Sequence, residues 1–219
     1  MDWLRYSSAM YCGQVPRTAP PEVRAALVER AAAMLARREP VTLRSLVTGT
    51  GASTMAVYTH FGGMPGLWRA VRQEGFERLA TRLATVPEHD DPVRHLVALG
   101  AAYTEHAFAH PHLYRAMFDD GFDLDDRTTA DGTFALLVGA AERARAAGRF
   151  APDCDPTPLA LRYWAAGHGL TMLVLTGVLP VEALLTQSPE IAVALFTAAG
   201  DDLDRCTRSV RSAWPPRLP

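Results

Sequence analysis

His106 and His110 stand four residues apart, with Glu105 and His112 beside them. On a helix that spacing puts both imidazoles on one face, where two ring nitrogens can serve as zinc ligands. The His-Glu-x-x-His pattern of helical zinc proteases is absent, and helical histidine pairs belong more often to a surface or a core, so no metal site is expected. Asp119, Asp120, Asp123, Asp125, Asp126 and Asp131 form an acidic stretch without the central glycine and closing glutamate of a calcium loop, which leaves a solvated loop. A general base such as His106 or His168 would need a nucleophile and an orienting carboxylate. No such set is apparent, Gly-x-Ser-x-Gly is missing, and no catalytic residue is expected. Gly49-Thr50-Gly51 opens like a dinucleotide fingerprint, but Thr54 replaces the third glycine and no acid follows at about 20 positions. No cofactor is therefore expected.

These residues sit in a chain of 219 with 48% hydrophobic and 21% charged residues and a net charge of -2, enough for one large domain or two small ones. The apolar content excludes a mostly disordered chain, and no uninterrupted apolar run reaches the roughly 18 residues of a membrane span. Cys12, Cys154 and Cys206 are odd in number and lack paired spacing, which argues against a disulfide framework. With no continuous apolar segment of the secretory kind near Met1, the expected location is the cytoplasm.

Charge is divided along the chain. Residues 17–85 carry ten Arg against five Glu and no Asp, whereas residues 86–219 carry eleven Arg against eighteen acids. A basic module that meets a polyanion, joined to an acidic body, fits this division.

Helical spacing dominates, and the class expected is all-α. Helices are expected near 21–38, 65–85, 92–109, 111–118, 128–148, 156–177 and 189–210. Asp91-Pro92, Asp155-Pro156 and Ser188-Pro189 each offer a side-chain acceptor followed by a first-turn proline. Between Val41 and Phe61 a short helix (42–48), a glycine turn and a second short helix (53–60) make a helix-turn-helix, capped by Thr42 and Ser53. Leu43, Leu46, Val47, Ala52, Val57 and Phe61 form its inner side. Thr54, Met55, Ala56 and Thr59 then face outward, as a helix entering a DNA major groove must.

The run from Val41 to Phe61, with Gly51-x-Ser53, Tyr58-x-His60-Phe61 and the later Leu67, resembles the N-terminal domain of TetR-family transcriptional regulators. His110-Pro111-His112-Leu113-Tyr114 and Trp164-Ala-Ala-Gly-His168-Gly169 resemble the C-terminal ligand domain of the family's Trp-His-Gly subgroup. Together the two matches span residues 20–200. Two positions depart from the family: Met64 stands where a lysine usually contacts a phosphate, and the usual small-then-large pair appears as Val47 then Ala52.

The resemblance implies a three-helix DNA-binding domain followed by a helical bundle for ligand binding and dimerisation. The expected division is an arm at 1–16, a DNA-binding domain at 17–85, a ligand-binding and dimerisation domain at 86–212 and a mobile tail at 213–219. Thr42, Ser53, Tyr58 and His60 would hold the phosphate backbone, and Thr54, Met55, Ala56, Thr59 and Arg44 would face bases. Arg17, in the arm, would enter a neighbouring minor groove. The outward helix side lacks Arg, Asn and Gln, so discrimination by thymine methyl contacts, Arg44 and DNA shape is expected.

In the acidic body, Tyr103, His106, Phe118, Phe134, Trp164, His168 and Met172 have the amphipathic character of a small-molecule site, though an aromatic stripe at helical spacing is more often plain core. The segment Leu159 to Val178 is apolar nearly all round, with Gly167 and Gly169 permitting close backbone approach, which points to an interface. The function expected is a homodimeric repressor that binds a near-palindromic operator in double-stranded DNA and is released by a small apolar or amphipathic effector. The alternative is an all-helical ligand-binding or scaffold bundle with little DNA affinity.

Overall fold

The computed structural model describes residues 21–37, 39–118 and 127–215. Arg17, the arm 1–16 and most of the acidic stretch, 119–126, lie outside the described residues. Ten helices follow in order among the described residues: α1 (Pro21–Ala36), α2 (Leu43–Val47), α3 (Thr54–Phe61), α4 (Met64–Ala84), α5 (Pro92–Ala109), α6 (Pro111–Met117), α7 (Thr128–Ala146), α8 (Pro156–Leu175), α9 (Val181–Ala198) and α10 (Leu203–Ala213). The fold is all-α: an N-terminal helix-turn-helix unit followed by a helical bundle. None of these helices is long and apolar enough to cross a membrane.

Local caps set several of the boundaries. The Asp91 carboxylate accepts from the backbone N–H groups of Val93 and Arg94 at the start of α5, and Asp155 accepts from Thr157 at the start of α8. Ser188-Pro189 behaves otherwise. The helix expected at 189–210 is two helices: α9 already begins after Pro180, carries Pro189 in its interior, and ends before a separate α10. The break falls at Gly200, whose φ of 108° favours glycine and whose Cα lies so close to Ala151 that an added Cβ would sit 2.8 Å from its backbone nitrogen. Asp202 then caps α10 by accepting from Arg205 N–H.

Two apolar clusters organise the molecule. One joins α1, α2, α3 and the first half of α4 through Leu27, Ala31, Leu46, Val57, Leu67 and Val71. The other is built by α4 to α10 and includes Phe76, Leu96, Tyr114, Leu137, Tyr163 and Phe196. Two elements belong to both. The start of α4 lies in the first cluster and its end in the second, while α6 gives Leu113 and Ala116 to one and Tyr114 and Met117 to the other. Either helix therefore packs against both the bundle and the helix-turn-helix side.

The outer end of the bundle is fixed by buried charge. Arg149 donates to both carboxylate oxygens of Asp201 at 2.9 and 2.7 Å, and also to Asp91 and to the Ser209 hydroxyl. These bonds tie the α7–α8 turn to the α9–α10 turn and to the cap of α5. The segment after α10 is not wholly a tail, because Trp214 packs half-buried against the larger cluster.

Candidate functional site

The helix pair starts with a reciprocal cap. Ser45 N–H donates to Thr42 Oγ1 at 3.1 Å while Thr42 N–H donates to Ser45 Oγ at 2.9 Å, satisfying two backbone donors at the head of α2. Gly51 makes the turn at φ 71°, and Thr50 braces it by donating to the Val47 carbonyl at 2.9 Å. Ser53 occupies the N-cap position of α3 with extended backbone, but its side chain makes no capping bond. Instead the Ala56 N–H closes the first turn on the Ser53 carbonyl at 3.0 Å, and the hydroxyl stays exposed.

Leu46 and Val57 are fully buried and hold α2 and α3 together from the inside. On the opposite side Met55 is 66% exposed and Tyr58 52%, joined by exposed Thr54, Thr59, Thr42 and Arg44. A methionine this exposed on a short, well-anchored helix gains nothing from its own fold. Ala56 and His60 are only half-buried, and His60 Nε2 is buried without a hydrogen-bond partner. Met64 does not project as the family's lysine would; it is half-buried against the smaller cluster at the start of α4.

A second feature lies in the bundle. A partly open cavity of about 350 Å³ lies among α4, α5, α7 and α8, with Tyr103, Phe118, Phe134 and Trp164 in its wall beside Phe76, Leu79, Leu83, Leu99 and Leu137. Arg72, Arg127, Asp131 and Thr133 are the polar contributors. The size and lining suit a small, mostly apolar molecule. Four residues expected in its wall are therefore there. Three are not.

His168 stands one layer behind the wall. Its ring centroid is 4.2 Å from that of Phe118 and 6.1 Å from that of Trp164, and its Nδ1 lies 2.8 Å from the Tyr114 hydroxyl and 3.1 Å from that of Tyr103. Burial lowers the His168 pKa, so the ring is neutral at pH 7, and burial pushes the Tyr103 phenol up to about 12. Met172 packs against the larger cluster without reaching the cavity. His106 lies on another side of α5, over an open depression shared with Arg78, Arg82, Glu105 and His110. A buried histidine at helical spacing from an aromatic stripe is indistinguishable in sequence from a wall residue, and here the helix phase turns it away. The expected set missed Phe76, Leu79 and Leu83 of α4, whose signal was an ordinary apolar spacing on a helix expected at 65–85. Among the described residues no cluster of three or more His, Cys, Asp or Glu side chains is arranged to hold a metal ion.

The described residues thus combine an exposed, braced second helix with an apolar cavity in the bundle, joined by helices common to both apolar clusters. Residues 96–203 match the family described as tetracyclin repressor-like, C-terminal domain. An uncharacterised HTH-type transcriptional regulator of Mycobacterium tuberculosis is 29% identical over 162 residues, covering 71% of this chain and 72% of the relative. Among solved structures, a protein of unknown function from Rhodococcus sp. RHA1 is 25% identical with a TM-score of 0.69, covering 86% of this chain and 100% of that one. TylP, a TetR regulator from Streptomyces fradiae, shares the fold with a TM-score of 0.60 at 19% identity, covering 86% of this chain and 90% of its own. Residues 96–203 thus carry a tetracyclin repressor-like C-terminal domain, and the chain is similar to HTH-type transcriptional regulators, which are not enzymes.

Proposed function

We propose that the protein is a homodimeric cytoplasmic repressor whose α3 enters the major groove of a near-palindromic operator and whose cavity takes the effector that releases it. The observation that carries this reading is the pairing of an exposed Met55–Tyr58 face with a cavity whose wall includes Phe76, Leu79 and Leu83 of α4. Since α4 also buries Leu67 and Val71 in the helix-turn-helix cluster, an effector that prefers a different α4 position also sets the placement of α3. Residues 17–85 act as the DNA-binding unit and 86–212 as the effector and dimer unit. In the first, Ser53, Tyr58 and Thr42 hold phosphates while Thr54, Met55 and Arg44 face bases.

The dimer face is α8 with α9. Leu173 of α8 and Val178 just after it are exposed, and a Cβ built at Gly169 would meet nothing of its own chain within 4 Å. A second copy burying this face sets two α3 helices on successive turns of the duplex.

A duplex carrying the promoter beside the protein's own gene is the test. Binding tighter than to random sequence and steeply weakened by salt supports the reading. Equal affinity for both duplexes, with and without cell extract as a source of co-ligand, sinks it and favours a ligand-binding bundle, for which Met64 in place of the phosphate-contacting lysine is the specific argument.

A further inference from the structure

Beside the large cavity, and sharing Tyr103, Leu137 and Trp164 with it, lies a smaller, partly open space of about 30 Å³ between α5, α8, α9 and the segment after α10. Three buried polar atoms belonging to its lining find no partner within the protein: the Tyr163 hydroxyl, the Ser188 hydroxyl and Trp214 Nε1. Tyr163 and Ser188 are each only 7% exposed. A buried hydroxyl or indole N–H without a hydrogen bond costs about 1–3 kcal/mol, and native interiors rarely tolerate one, let alone three around one space. They come from three separate elements, so no single local distortion accounts for them.

The packing that creates this space is specific. A Cβ added to Gly100 would lie 2.2 Å from the Tyr163 hydroxyl, so only glycine at that point of α5 admits the phenol. Ser188 faces inward because α9 runs on through Pro189 rather than starting there. Trp214 is carried in by the end of α10. The three groups are all uncharged, and the indole N–H can only donate while the two hydroxyls can donate or accept. An ionised group brought here would find no counter-charge among them; a neutral oxygen would find up to three donors.

We propose that this space is the polar inner end of the effector site and that it selects an uncharged effector with an apolar body and one terminal hydroxyl or carbonyl oxygen. The inference rests on the reading of the large cavity as the effector site. The body fills the large cavity, and the oxygen reaches past the Tyr103–Trp164 partition to accept from Trp214 Nε1 and bond to Tyr163 and Ser188. Recognition by these groups rejects the analogue without the oxygen because they are then left unpaired.

Naphthalene, 2-naphthol and 2-naphthoate share one apolar body and separate the possibilities when titrated into the full chain by calorimetry. We expect 2-naphthol to bind about tenfold or more tightly than either of the others. Ser188→Ala and Trp214→Phe should each shrink the naphthol-to-naphthalene ratio while leaving naphthalene affinity within about twofold, which mere loss of structure would not do. Equal affinity of naphthol and naphthalene, or a ratio indifferent to both substitutions, overturns the polar-end inference and leaves the cavity reading standing, the three groups then serving a bound water. Tightest binding of 2-naphthoate overturns the claim of an uncharged effector. Binding of none of the three overturns the cavity reading itself and this inference with it.

Discussion

The hydroxyl of Tyr114 on α6 lies 2.8 Å from Nδ1 of His168 on α8, and it also donates to the Tyr103 hydroxyl at 2.9 Å. This triangle locks α6 against the layer that backs the large cavity. Phe118, a wall residue, lies tilted with its ring centroid 4.2 Å from that of His168 and edge-on 5.2 Å from that of Tyr114, so it packs directly on the lock. Because α6 also carries Leu113 and Ala116 into the helix-turn-helix cluster, the lock connects the two sites. Arg115 reinforces it by donating to the Leu175 carbonyl at the end of α8.

Tyr114→Phe removes the hydroxyl and keeps the ring. We expect a stability loss of about 1–2 kcal/mol, since Tyr103 and His168 still have each other at 3.1 Å. Effector binding should persist while its effect on operator affinity shrinks several-fold. Measuring operator affinity with and without effector decides it: unchanged coupling would show that α4 alone transmits the signal.

Arg44 is the one arginine on the exposed side of the helix pair, at the start of α2. Arg44→Ala should flatten preference at one or two operator positions, by about 1–3 kcal/mol for a lost bidentate contact, and lower the salt slope by about one. Tyr58→Phe should instead weaken all sequences alike. A binding-site selection with both variants separates the two roles. Unaltered base preferences in Arg44→Ala would remove its reading role.

How far the sequence could be read depended on how local the relevant physics is. Asp91-Pro92 and Asp155-Pro156 were recognisable helix starts because an acceptor two residues before a free N–H is a local arrangement. Ser188-Pro189 has the same letters and a different outcome. A proline costs a helix interior one hydrogen bond and a steric clash, and here the helix runs on through it, packing Leu184, Ala192 and Phe196 into the protein. Likewise the exposure of Met55 followed from the phase of a short helix against Leu46 and Val57, whereas Tyr58 was placed outward only by the family resemblance. The turning of His106 out of the cavity, the second-layer place of His168 and the return of Trp214 to the core depend on packing between distant elements, which spacing along one helix does not encode.

Arg149 shows what that long-range packing holds. Its guanidinium reaches Asp201, whose side chain is fully buried, and Asp91, whose pKa is lowered despite burial by bonds from Ser209, the Arg94 backbone and Arg149. Arg149→Ala leaves Asp91 without its cation and leaves Asp201, fully buried, with only Arg205 at 3.1 Å. We expect a loss of about 3–5 kcal/mol in urea denaturation, with α10 released first and the helix-turn-helix cluster unaffected. A loss below about 1 kcal/mol would mean that solvent already pairs these carboxylates.

His106 predicts an acid-sensitive fold. Burial, aided by His110, Arg78 and Arg82, lowers its pKa from 6.5 to about 4, with Glu105 nearby already paired to Arg82. Above pH 6.5 the ring is neutral folded and unfolded, so it adds no pH dependence. Between 6.5 and about 4 the unfolded chain takes up a proton that the folded chain refuses, and stability falls as pH falls, by on the order of 2 kcal/mol for this group. His95, His112 and His168 are lowered in the same direction. His106→Gln should reduce the slope of denaturation midpoint against pH in that window. An unchanged slope would assign the acid sensitivity to the other histidines.

Leu173 tests the assembly. It is 41% exposed on α8, and Val178 just beyond the helix is also uncovered, so a protomer with this surface open to water presents apolar area that a partner would bury. Leu173→Glu introduces a charge that solvent accommodates in a monomer but that a dimer would have to desolvate against its own symmetry copy. We expect the mass in solution to fall from twice 23.8 kDa to 23.8 kDa with the helical signal retained. Operator affinity should drop about hundredfold or more, because two half-sites are then no longer bound by one particle. Light scattering and operator titration on the same sample decide the matter: a dimer of undiminished stability puts the interface elsewhere, and a monomer that still binds the whole operator tightly refutes the need for a symmetric pair.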